Sequence, residues 1–183
     1  MTFLKLQTMS PVHIPDILEI ERTLFHTPWT HGMFEQELLA GPNPEGPGSY
    51  AVVVEEAGRV LGYAVAWFVD EGVHLMNIAV RMDSQRRGIG RKIMRHLIRE
   101  ARSAGKVVII LEVRVSNTGA QAFYESFGFA KFGVRRGYYA DNREDAIMMA
   151  LNLSRAPARR KSGTKSKPEN GTKRGTREAN RGE

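Results

Sequence analysis

Residues Asp83–Arg102, DSQRRGIGRKIMRHLIREAR, decide how the chain is read. They spell a turn, a Gly-x-Gly elbow at Gly88 and Gly90, and then a helix. Ile89, Ile93, Met94, Leu97, Ile98 and Ala101 recur at helical spacing, so one face of that helix is apolar and belongs against a sheet. The opposite face is charged. Because Gly88 and Gly90 carry no side chain, the backbone N–H groups from Arg87 to Arg91 can approach a ligand closely, at the positive end of the helix dipole. That is the chemistry of a phosphate cradle, although a glycine turn leading into an ordinary surface helix fits the same letters. Two familiar phosphate motifs are excluded. A dinucleotide fingerprint needs a third glycine where Ile93 stands, and a P-loop needs Gly-Lys-Ser or Gly-Lys-Thr, which the chain never shows.

Working outward, Tyr50–Glu55, Val60–Val69 and Val73–Val80 are apolar runs separated by short turns, which predicts an antiparallel meander ending just before the elbow. On the N-terminal side, Leu4–Met9 alternates as a strand does. A helix is expected from Ile14, with Pro15 in its first turn and His13 as a candidate cap, and a second from the Thr30 cap to about Leu39. Residues 41–48 form a Pro/Gly loop. On the C-terminal side, Gly105 stops the central helix and Val107–Leu111 reads as a buried strand. A short helix over Gly119–Ser126 follows, then a hairpin of Phe129–Val134 and Ala146–Leu153 around a polar, tyrosine-bearing loop.

A chain of 183 residues is about one domain, and 42% hydrophobic content suits a packed core. The absence of cysteine excludes disulfides, thiolate metal sites and a cysteine nucleophile. Val60–Val69, the longest apolar run, is well short of the roughly 20 residues that span a bilayer, and residues 1–10 lack the pattern of a secretory signal, so a cytoplasmic protein is expected. The five histidines show no metal-ligand spacing, and no metal is expected. The net charge of +7 belongs entirely to residues 154–183, where ten Lys or Arg meet three Glu, while residues 1–153 are neutral. This tail has only alanines as apolar residues and is expected to be disordered, either as a partner-free solubilising extension or as a salt-dependent contact for RNA or the ribosome.

Four blocks then carry a resemblance: Leu75–Val80 followed by Gln85-Arg86-Arg87-Gly88-Ile89-Gly90; Leu111-Glu112-Val113-Arg114-Val115-Ser116-Asn117; Phe123–Phe129; and Arg135-Arg136-Gly137-Tyr138-Tyr139 with Arg143–Ala146. In this order they resemble the GNAT N-acetyltransferases over residues 3–153, and within them the RimI-type branch. The resemblance implies an α/β (α+β) fold, with a mixed, mostly antiparallel central sheet flanked by helices. It implies transfer of acetyl from acetyl-coenzyme A by direct attack of an amine, the acceptor being the N-terminal alanine of a small-subunit ribosomal protein. Pyrophosphate would rest on the loop of Arg86, Arg87, Gly88, Ile89, Gly90 and Arg91. Pantetheine would run along the backbone of Ile78, Ala79 and Val80, beside Asn117. Trp29, with Phe25 and Met33, would wall the acceptor site opposite Tyr138 and Tyr139.

The same resemblance assigns Glu112 as general base and Tyr124 as the acid that protonates the departing thiolate. The residues themselves leave alternatives open. Glu112 interrupts an apolar strand, where a lone carboxylate is costly, and a structural pair with Arg114 two residues on would also explain it. Tyr124 also suits core packing, Asn117 a helix cap, and the aromatic wall residues simple packing. Of the eight basic residues between positions 86 and 106, those from Arg99 onward read as a solvated face. Gly137 and the Pro/Gly loop leave the acceptor open. A polyamine or aminoglycoside acetyltransferase would use the same core, and a non-enzymatic RNA-binding module is the reading from another class.

Overall fold

The computed structural model describes residues 3–42 and 48–154. The 154–183 tail therefore lies outside the described residues but for Ser154, as do positions 43–47 of the Pro/Gly loop. The described residues form seven strands and four α-helices: β1 (Lys5–Thr8), α1 (Ile14–Leu24), α2 (His31–Ala40), β2 (Gly48–Glu56), β3 (Arg59–Val69), β4 (Gly72–Val80), α3 (Ile89–Ser103), β5 (Val108–Arg114), α4 (Thr118–Glu125), β6 (Ala130–Arg135) and β7 (Ala146–Asn152). One sheet holds all seven strands in the order β1-β2-β3-β4-β5-β7-β6. Every pairing is antiparallel except β4 with β5. The crossover between those two parallel strands is α3, since parallel neighbours need a connection long enough to bring the chain back to the same end of the sheet.

The alternation of side chains along each strand builds two cores. On one face Val52, Val54, Leu75, Ile109, Leu111 and Met149 pack beneath α3 and α4, which contribute Ile89, Ile93, Met94, Leu97 and Tyr124. Each fully buried aliphatic of α3 contributes about 1.5–3 kcal/mol by leaving water, so the apolar stripe read from the sequence is what fixes the helix to the sheet. On the other face Ala51, Val53, Tyr63 and Val65 pack beneath α1 and α2, through Ile14, Ile17, Ile20 and Phe34.

Local chemistry sets the helix ends. Thr30 caps α2 by accepting from the Met33 N–H at 3.4 Å. His13 precedes α1 but makes no side-chain cap bond; its Nδ1 accepts from the Ser10 N–H at 2.9 Å instead, tightening the 3-10 turn before the helix. The N-terminus of α3 rests directly on β3. A Cβ at Gly62 would stand 2.9 Å from the Ala79 carbonyl oxygen and 3.1 Å from Ile89 Cγ2, so only glycine allows that approach.

Candidate active site

β4 and β5 pair only over Gly72–His74 and Val108–Ile110. Beyond His74 and Ile110 the two parallel strands part, and a cleft of about 830 Å³ fills the gap. A bulge marks the same stretch of β4. Val65 faces Asn77 while Ala66 faces Leu75, which leaves Met76 as the extra residue and re-aims Asn77. The edge of β4 that turns from β5 over Leu75–Val80 is left without a strand partner, so its peptide groups can pair with an extended ligand.

The cleft brings together Trp29, Ile78, Glu112, Asn117, Tyr124, Tyr138 and Tyr139, which come from the α1–α2 loop, β4, β5, α4 and the β6–β7 loop. Phe25 joins Trp29 on its wall; Met33, half exposed on α2, does not line the cleft, because its helical position turns it away from the loop. Ala79, Val80 and residues 86–91 lie beyond the cleft, at the continuation of β4 into α3.

Glu112 sits on the face of β5 opposite Ile109, Leu111 and Val113, with its side chain 8% exposed. It does not pair with Arg114. His74 Nε2 donates to Glu112 Oε2 at 2.6 Å, and Arg135 Nη1 donates to Oε1 at 2.9 Å. His74 comes from the neighbouring β4 and Arg135 from β6, beyond β7, and this is why the pairing was not visible in the local sequence. Arg114, two residues on, is engaged elsewhere. It donates to both Asp141 oxygens at 2.9 and 2.8 Å and to Glu144 at 3.0 Å, and lies 3.8 Å from the Tyr139 ring centroid. The result is a clamp that holds the β6–β7 loop over the cleft. Hydrogen bonds from Ser116, then from Arg114, hold the Glu144 carboxyl down at about 2, and those from Arg114 lower Asp141. Burial pushes the Tyr139 phenol up to about 12. Gly137 in this loop adopts φ +56, a left-handed conformation, and donates its N–H to Asp145 at 2.8 Å. Its backbone, not space for a ligand, calls for glycine there.

Tyr124 is buried against Phe123 and Phe129, and burial raises its pKa, so the phenol keeps its proton at neutral pH. The core role and the place on the cleft belong to the same residue. Asn117 likewise holds both roles. Its Oδ1 caps α4 by accepting from the Ala120 N–H at 3.0 Å, which leaves its amide group to donate into the cleft.

Around the elbow, Arg86 has φ +63 and Gly88 φ +84, and α3 begins with no side-chain cap and no acidic residue in its first turn. Among the described residues the amides of Gly88–Arg91 find no side-chain acceptor, which suits an anion at this helix end. A Cβ at Gly90 would make ordinary 3.5 Å contact with the Phe123 ring. The protein's own packing therefore does not demand glycine at this position. Arg87 is turned to Glu56 at 2.9 Å, and Arg91 lies over the Phe127 ring at 5.4 Å while donating to Ser126.

Glu21, on α1, is a site residue that the sequence alone does not single out. It is fully buried, lines the cleft, and accepts from the Trp29 N–H at 2.6 Å, from the Asn77 amide at 3.1 Å and from the Tyr63 hydroxyl. The signal was a Glu at a spacing that Ile14, Ile17 and Ile20 had already marked as the buried stripe. His74 and Arg135 had no such signal. Among the described residues no group of three His, Cys, Asp or Glu is arranged to hold a metal, and no helix is long and apolar enough to cross a membrane.

Comparison with known proteins identifies the family. Residues 14–129 match the model of the acetyltransferase (GNAT) family. The chain is 35% identical over 151 residues to the [ribosomal protein bS18]-alanine N-acetyltransferase of Escherichia coli, covering 81% of this chain and 97% of that one. It is 34% identical over 141 residues to a putative enzyme of the same name from Bacillus subtilis, covering 77% and 90%. The crystal structure of the Escherichia coli enzyme superposes with a TM-score of 0.73 at 33% identity, over 86% of this chain and 98% of that one. A family match that takes in the parted strands, the glycine elbow and the Tyr124 helix leaves one conclusion: this chain belongs to the GNAT acetyltransferase family and is an acetyl-coenzyme A-dependent N-acetyltransferase.

Proposed function

We propose that the acceptor is the α-amino group of a protein N-terminus, and specifically the N-terminal alanine of ribosomal protein bS18. The observation that carries this reading is the reach of the likeness. It spans 97% of the Escherichia coli enzyme's length, and so includes both walls of the cleft as well as the cofactor loop. A ribosomal-protein acceptor is in keeping with an enzyme that works in the cytoplasm. The basic tail, Ser154 apart, lies outside the described residues; ten cations in that stretch suit a weak, salt-sensitive contact with ribosomal RNA.

In this reading the acetyl donor is the co-substrate. The amides of Gly88–Arg91, with Arg86, Arg87 and Arg91 nearby, hold its pyrophosphate, and the free edge of β4 at Ile78, Ala79 and Val80 pairs with the pantetheine, with Asn117 donating from the opposite side. The acceptor arrives between Trp29 and the Tyr138–Tyr139 pair. An α-ammonium group has a pKa of about 7.7–8.0, so Glu112 needs to take up only one proton, directly or through water, to free the nitrogen lone pair. His74 and Arg135 hold that carboxylate in position and still leave it lone pairs to spare. The nitrogen attacks the thioester carbonyl, the C–N bond forms and the C–S bond breaks. Tyr124 donates a hydrogen bond and then a proton to the departing sulfur, whose conjugate acid has a pKa of about 8.5. The new C–N bond leaves the nitrogen with one excess proton, which passes through water to the Tyr124 phenolate and restores the phenol, while Glu112 releases its proton to solvent.

The test is a rate comparison at saturating acetyl-coenzyme A among peptides beginning with alanine, the same peptides with other first residues, spermidine and free lysine. The alanine peptide is expected to have the highest kcat/KM. A polyamine preferred over every peptide overturns the acceptor assignment and leaves the N-acetyltransferase.

A further inference from the structure

Glu21 is a carboxylate with no cation. It is 0% exposed, and among the described residues no Lys, Arg or His comes within ion-pair distance of it. Burying such a group is costly unless its hydrogen bonds are complete, and a neutral side chain would serve α1 packing without that demand. What it holds together is specific. Its oxygens accept from Trp29 N–H in the α1–α2 loop, from Asn77 on the β4 bulge and from Tyr63 on β3. Trp29 and Asn77 line the cleft; Tyr63 is fully buried behind it. Packing closes the same circuit by a second route. The Trp29 ring lies 5.3 Å from Phe34, and Phe34 meets the Tyr63 ring edge-on at 5.6 Å. The backbone and the side chain of Trp29 are thus tied separately to one buried centre.

We infer that Glu21 is a positioning residue for acceptor recognition: it fixes the Trp29 wall against the Asn77 bulge and so sets how tightly the acceptor's first residue is gripped. The inference rests on the proposal that the acceptor binds between Trp29 and Tyr138–Tyr139. Being fully buried, Glu21 acts through Trp29 and Asn77 and takes no part in the chemistry. The glycine elbow, on the far side of the parted strands, is not in this circuit, so acetyl-coenzyme A binding should be insensitive to it.

The experiment uses the full chain and two variants, Glu21→Gln and Tyr63→Phe. A glutamine places an N–H where one of three donors needs an acceptor, and the phenylalanine removes one donor from behind the wall without touching the cleft. Each is expected to raise KM for the acceptor roughly tenfold while KM for acetyl-coenzyme A and kcat at saturation change less than about twofold. In a Trp67→Phe background, where Trp29 is the single tryptophan, each should also increase acrylamide quenching of its fluorescence. Should Glu21→Gln fail to fold, Tyr63→Phe carries the test alone. Unchanged acceptor KM in a folded Tyr63→Phe protein, or equal losses for both substrates, overturns the inference. The acceptor used is whichever amine wild type acetylates best, so a preference for polyamines would count against the function proposed above without deciding the role of Glu21.

Discussion

The two halves of the proposed site are built from different material. At the N-terminus of α3 the working groups are backbone amides, presented by Gly88 and Gly90 within a few consecutive residues. In the cleft the working groups are side chains brought from β4, β5, α4 and two loops, and they depend on one another: Glu112 on His74 and Arg135, Tyr139 on Arg114, Trp29 on Glu21. The difference teaches where each half is vulnerable. A backbone cradle tolerates most substitutions of its neighbours and fails when a side chain fills it. A side-chain cleft fails one residue at a time, and each failure has its own kinetic signature.

The largest expected effect is in the cleft. Glu112→Gln keeps the shape of the side chain and its bond from Arg135, but removes the proton acceptor; kcat should fall by about 10²–10⁴. Above about pH 8 the amine loses its own proton, so part of the loss should return. The acetyl-coenzyme A-induced rise in melting temperature should be that of wild type, and losing it as well would join the two halves that the structure keeps apart. Tyr124→Phe should fold with an intact core and turn over about 10²-fold more slowly, at the low end of the same range. Wild-type turnover would return Tyr124 to packing alone.

At the elbow, Gly90→Val should do the reverse. The first carbon of the new side chain meets Phe123 at an ordinary 3.5 Å, so the fold should hold. Saturating acetyl-coenzyme A at about 100 times its Kd stabilises a protein by about 2.7 kcal/mol, and this variant should lose most of that stabilisation. A wild-type thermal shift would place the pyrophosphate elsewhere.

A smaller effect concerns the clamp on the β6–β7 loop. Glu144 and Asp141 have folded pKa values below their unfolded ones, so their contribution to stability is present above about pH 4.5 and is lost as pH falls toward 2. Both carboxylates lie at the surface, partly open to screening solvent, so the change should be modest. Melting temperature should drop more steeply over that window in wild type than in Arg114→Met, and parallel curves would dismiss the clamp. The smallest effect expected is none: removing residues 154–183 should leave peptide acetylation unchanged, and only salt-sensitive RNA affinity should respond. A lower rate on a free peptide would bring the tail into the site.

What the sequence determined by itself is local and periodic. The apolar stripe of α3, the meander into Val80, the Thr30 cap and the glycine elbow each follow from residues within one or two helical turns of one another, where propensity and spacing act directly. The identity of Glu112 and Tyr124 as residues to watch came from the resemblance, and the cleft does gather them. What only the tertiary structure decided is who touches whom across the sheet. Arg114 was the natural partner for Glu112 by spacing, yet a strand's side chains two apart compete for whatever the neighbouring strands and loops supply. His74 and Arg135 reached Glu112, while Asp141 and Glu144 took Arg114. The parting of β4 from β5 was equally hidden, because a parallel pair's divergence depends on the bulge at Met76 and on the packing of the two helix layers rather than on any one stretch of chain. Glu21 shows the same limit. Its position in the apolar stripe was legible, but its three donors lie 8, 42 and 56 residues away, and only folding brings them to one carboxylate.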